Sequence, residues 1–118
     1  AAGLGVSAAG NLLANDGVPA AIVEGFVSAK GHIGDRLIAA MRAGLAAGGE
    51  AGSVHSAGMQ ICRDVPWPVA DLRCDWTEDC PIEAIAQALT VYKPQLDAYV
   101  QRALGPREAP SYGVPGDE

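Results

Sequence analysis

In residues 69–76, VADLRCDW, apolar and charged side chains alternate without a slip from Ala70 onward. Ala70, Leu72, Cys74 and Trp76 fall on one side, and Asp71, Arg73 and Asp75 on the other. Successive side chains of a strand point to opposite faces, so the stretch predicts a strand with one covered face and one charged face. The covered face needs apolar surface from elsewhere in the chain. Ile33, Leu37, Met41 and Leu45 recur every four residues, with Ile38 widening the stripe, and Ile82, Ile85, Ala86 and Leu89 do the same downstream. That spacing is the signature of an amphipathic helix. A chain that carries both periods has to lay helices on a sheet, in α+β style.

The other elements follow from local signals. GLGVSAA, residues 3–9, reads as a short strand, with Gly10 and Asn11 as turn residues after it. A helix follows, with Asp16 as N-cap, Pro19 in the first turn, a Val18, Ile22, Phe26 stripe and Gly31 as C-cap. It forms an αα-hairpin with the Ile33–Leu45 helix, which the glycines at 48–49 end. Residues 54–64 predict a strand, Pro66 and Pro68 a loop that blocks pairing, and ADLRCDW the second strand of an antiparallel pair. Asp79 is the expected cap of the next helix, with Pro81 in its first turn. Pro94 should break that helix near Tyr92 and Lys93, after which Leu96, Tyr99, Val100 and Ala103 restart the pattern. Residues 1–104 thus form a single α+β unit, and 105–118 a tail rich in Pro and Gly. So few strands leave open edges, which a homo-oligomer or a second chain would cover.

Composition narrows the function. A net charge of -6 without a basic run argues against nucleic acid and against anionic membrane surfaces. No apolar run approaches the roughly 20 residues of a membrane span. The three cysteines, Cys62, Cys74 and Cys80, make a poor disulfide framework and suit a reducing cytoplasm. With His55 they lack the close Cys-x-x-Cys spacing of structural zinc sites, so no metal or other cofactor is expected. Cys62 and Cys74 read as core thiols, and Cys80 lies at a helix N-terminus, where the dipole lowers a thiol pKa.

Three features carry candidate chemistry, each beside a structural alternative. Arg73 between Asp71 and Asp75 offers a clamp for a substrate carboxylate, or a solvated row of weak ion pairs. Ser56 follows His55, but neighbours on a strand face opposite ways, so Ser56 either hydrogen-bonds a ligand or simply opens a strand. Asn11 offers an amide to an oxyanion, or ordinary turn chemistry.

The order of these features resembles the C-terminal half of a bacterial family named only as domain of unknown function 1028. GNLL follows the first strand, RLIAAMRAGLAAGG closes the helix pair, SA opens a strand, DLRCD forms the next, and PIEAI starts the closing helix. The resemblance covers roughly residues 5 to 95. It implies part of an αββα sandwich like that of N-terminal-nucleophile hydrolases, acting on an amide or cyclic amide of a small-molecule substrate. In such enzymes a terminal Thr, Ser or Cys attacks, with its own α-amine as base. Ala1 offers no nucleophile, so this reading assigns no catalytic residue here and places the nucleophile on a second chain that completes the fold. Asn11, Ser56, Asp71, Arg73 and Asp75 would then bind substrate. The contrasting reading is a non-catalytic α+β assembly module, with the DLRCD face in solvent.

Overall fold

A computed structural model describes residues 1–110. The chain opens not on one strand but on a tight antiparallel hairpin of Ala2–Gly3 (β1) and Val6–Ser7 (β2), paired Ala2 to Ser7 and Gly3 to Val6. Gly5, at φ +72°, takes the left-handed turn between them, a conformation that glycine adopts at little cost. An expected strand over 3–9 is therefore folded back on itself at its glycine.

Val18–Ser28 (α1) and Ile33–Ala46 (α2) form the expected helix pair. Pro19 sits in the first turn of α1, but Asp16 does not cap it. Asn15 does the local work instead, its Oδ1 accepting from Gly17 N at 2.9 Å. Gly31 lies in the link at φ +101°, beyond the end of α1, and Arg36 reaches back to donate to Phe26 O at 3.1 Å. The ring nitrogen of His32 caps α2 by accepting from Gly34 N at 3.0 Å. The two helices meet backbone to backbone. A β-carbon on Gly25 would lie 2.6 Å from that of Ala43, and one on Gly44 2.7 Å from Ile22 Cγ1.

Ala57–Cys62 (β3) and Pro68–Cys74 (β4) are the expected antiparallel pair, in register from Ala57–Cys74 to Ile61–Ala70. A bulge after Ile61 shifts the pairing to Cys62 with Pro68. The extra residue, Val69, turns inward beside Ala70, so both are buried. Pro68 is tolerated at the strand start, where it blocks nothing. The inner face of this hairpin packs on Pro81–Tyr92 (α3) and Leu96–Leu104 (α4), with Ile38 of α2 joining the core. The break between α3 and α4 is a single 3₁₀ turn, Lys93–Gln95, at Pro94 as expected. Tyr92 donates to Val69 O at 3.0 Å and stacks on Tyr99, and burial pushes its phenol pKa up. Asp79 is not the cap of α3: Thr77 Oγ1 accepts from Asp79 N, and Cys80 takes the N-cap position without a side-chain bond. Cys62 is exposed rather than core, because it shares parity with Gln60 and not with Met59 and Ile61. The chain is thus a mixed α+β fold, with two small sheets rather than one among the described residues. Residues 111–118 of the expected tail lie outside the described residues.

Arg42 of α2 grips Glu83 of α3 with two of its nitrogens, Nε at 2.7 Å and Nη2 at 2.8 Å. The hydrogen bond from Arg42 holds the Glu83 carboxyl below its ordinary 4.5. A depressed carboxylate stabilises the fold above its unfolded pKa, and the effect fades as pH falls through the folded pKa. Arg42→Gln is therefore expected to lower Tm modestly at pH 7. The difference from the parent should close at acid pH, where Glu83 is protonated in both. Thermal melts across that range check it, and a gap that persists in acid would assign the loss to packing of the arginine stem.

Candidate functional site

A groove of about 710 Å³ lies between the N-terminal hairpin, the helix pair and the start of β3. Its floor is apolar, built from Val18, Ile22, Phe26, Ile38 and Ile85. That is the size and character of small-molecule sites, which place a few polar groups over apolar walls. Among the described residues no cluster of His, Cys, Asp or Glu is arranged to hold a metal ion, and no helix is long and apolar enough to cross a membrane.

Asn11 and Ser56, far apart in sequence, both line this groove. Asn11 sits in a turn that the backbone clamps. The next residue, Leu12, takes φ +52°, unusual for a side chain of its size, and accepts from Ala51 N at 2.7 Å. Leu13 then bridges to Glu50, and Ala14 N donates to Gly49 O at 2.9 Å. Non-glycine residues held at positive φ persist where surrounding contacts over-determine them, often at functional sites. Ser56 is fixed from the other side. His55 and Thr77 exchange backbone and ring bonds: Thr77 N donates to His55 O at 2.9 Å, and His55 Nδ1 lies 2.9 Å from Thr77 O. The His55 ring stacks on Trp76 with centroids 3.9 Å apart. His55 is thus engaged by Trp76 and Thr77 while Ser56 lines the groove, and the two form no dyad.

The Asp71, Arg73 and Asp75 row lies elsewhere, on the outer face of the β3–β4 hairpin, and none of the three lines the groove. Arg73 pairs locally with Asp75 at 2.9 Å, with both side chains about three-quarters exposed (70% and 77%). An exposed pair of this kind adds little stability, ~0–1 kcal/mol. Asp71 instead accepts from Gln60 Nε2 at 3.2 Å, its partner across the ladder. Gln60 itself lines the groove, so it links Asp71 to the rim. Sequence reading passed over Gln60. Its place opposite Asp71, on the polar parity of β3, was the signal that could have found it.

A family model described as a family of unknown function, DUF1028, matches residues 1–85. No curated protein matches the chain. The chain is similar to the protein in the crystal structure of protein SPO2555 from Silicibacter pomeroyi, a DUF1028 protein. The TM-score is 0.66 at 29% identity, over 78% of this chain and 39% of that one, so this chain spans well under half the length of that protein. The match runs through the clamped Asn11 turn, the helix pair, Ser56 with the β3–β4 hairpin that follows it, and the start of α3, and on it the chain belongs to the DUF1028 family of unknown function.

Proposed function

We propose that this chain is part of a hydrolase of the N-terminal-nucleophile type, acting on an amide or cyclic amide of a small molecule. Its own share is pocket and scaffold, and the nucleophile comes from polypeptide outside residues 1–118. The observation that carries this reading is the convergence of Asn11 and Ser56 on one apolar groove. In this reading the Asn11 amide faces a developing oxyanion, where one such donor is worth about 10²–10³ in rate. Ser56 holds the substrate, and Gln60 with Asp71 closes the rim. Arg73 and Asp75 stand outside the groove and contribute charge on the neighbouring face. Free thiols at Cys62, Cys74 and Cys80 fit a reducing compartment such as the cytoplasm.

Intact mass spectrometry and N-terminal sequencing of the natively purified protein test the proposal. The expected result is a co-purifying polypeptide that begins with Ser, Thr or Cys. A partner with any other N-terminal residue, or none at all, counts against it. One observation favours a second reading, a non-catalytic assembly module: the Asp71–Arg73–Asp75 face stands in solvent and is satisfied by its own neighbours. Its signature in the same experiment is this chain alone, at 12.0 kDa or a multiple of that mass.

A further inference from the structure

The groove carries one charge. Glu50 is the charged residue among those that line it, and no Lys, Arg or His of the described residues does so. Its carboxylate takes part in none of the ion pairs or side-chain hydrogen bonds among the described residues. Its backbone is held nonetheless, by the bridge to Leu13, with Ala14 N donating to Gly49 O and Ala51 N to Leu12 O on either side. The arginines of α2 are engaged elsewhere. Arg42 is held by Glu83, and Arg36 by Phe26 O and by the Phe26 ring, whose centroid lies 4.1 Å from its guanidinium carbon. Gln60, also in the lining, spends its Nε2 on Asp71, and its carbonyl oxygen remains as a second acceptor. A carboxylate only accepts, so its partner must donate. Between apolar walls it attracts a positive charge, and repels a negative one, more strongly than on an open surface.

We infer that the groove selects a substrate with an apolar body and a positively charged amine, the body resting on Ile22, Ile38 and Ile85 and the amine paired with Glu50. The inference rests on the hydrolytic reading above and names the substrate class of that same site, an amide or cyclic amide that also bears an ammonium group. The bridge to Leu13 ties Glu50 to the turn that holds Asn11. One fixed stretch of backbone therefore sets both the group that meets the amine and the group that meets the reacting carbonyl. An amide that carries a carboxylate is rejected twice over, since the lining offers it no cation and Glu50 repels it. Glu50 is a specificity determinant in this account and takes no part in bond cleavage.

The test is an NMR titration of this chain at neutral pH with three probes of similar size and different charge: phenethylammonium, phenylacetamide and phenylacetate. Phenethylammonium is expected to bind about fivefold more tightly than phenylacetamide, with phenylacetate the weakest. It should move the backbone amide signals of Glu50 and of its bridge partner Leu13. Glu50→Gln, at an exposed position, should bring the three probes within about twofold of one another and leave the rest of the spectrum in place. Equal binding of the three by the parent chain overturns the inference. So does binding of none of them, a preference for phenethylammonium that survives Glu50→Gln, or shifts confined to residues outside the groove. The readout is equilibrium binding and needs no nucleophile, so the two readings fail separately. A charge preference without a partner beginning in Ser, Thr or Cys counts against hydrolysis alone, and such a partner without the preference counts against this inference alone.

Discussion

Leu89→Ala is expected to destabilise the fold by about 3–4 kcal/mol, in the middle of the range for buried leucines. Leu89 is 1% exposed and sits where α3 meets α2 and the β3–β4 hairpin. Its two terminal carbons lie 2.9 and 3.0 Å from where a β-carbon on Gly34 would stand, so the side chain is seated in a notch of the α2 backbone. Helix backbone does not collapse into a void as side chains do, so the cavity left by truncation stays open. Urea denaturation followed by circular dichroism reads the loss. Leu89→Met, which keeps most of the volume, should cost less than about 1.5 kcal/mol. A Leu89→Ala loss no greater than that of the methionine variant would mean the notch is not closely packed.

Gly25→Val is the second large effect, expected at about 2–3 kcal/mol. Replacing a glycine inside a helix ordinarily gains about 0.5–1 kcal/mol of helix propensity, so intrinsic preference alone predicts the opposite sign. Packing decides. Besides the Ala43 clash, a β-carbon here would stand 3.1 Å from Ala39 O, and backbone cannot rotate out of the way. The α1–α2 pair would have to move apart and lose the burial of Val18 and Phe26. Ala20→Val, at an exposed position of the same helix, should change stability by no more than about 0.5 kcal/mol. Comparable midpoints for the two variants would show that the helices tolerate separation.

Both effects come from close approach, which is what the sequence showed least clearly. Periodicity located the helices, the β3–β4 pair and the break at Pro94, because each is set by residues a few positions apart. The family resemblance was legible for the same reason, as an ordered series of local features. Caps were misplaced by one residue: Gly17 and Cys80 take the N-cap positions expected for Asp16 and Asp79, neither with a side-chain bond, while Asn15 and Thr77 accept in the turns just before, where several polar residues in a row compete. The first strand was misread because glycine permits both extension and reversal, and only packing selects between them. On α2 the stripe Ile33, Met41 and Leu45 is more exposed than Ile38, Ala40 and Gly44. Those outward residues include Met41 and Leu45 in the groove lining, a concavity that no single helix pattern encodes. The candidate site was legible in part. Asn11 and Ser56 were recognisable as residue types, but their meeting depends on the Leu12 turn and the Leu13–Glu50 bridge, which are long-range. The Asp-Arg-Asp row was the most visible pattern and stands outside the groove, because strict alternation reports a face and not what lies opposite it.

The seating of Leu89 against Gly34 bears on how the sequence can drift. Each position fixes the volume open to the other, so neither can change freely alone. A methyl group at 34 requires the terminal carbons of Leu89 to shift, and a shorter side chain at 89 makes room for it outright. Although 55 positions separate them along the chain, a change of volume at one bears directly on what the other can become.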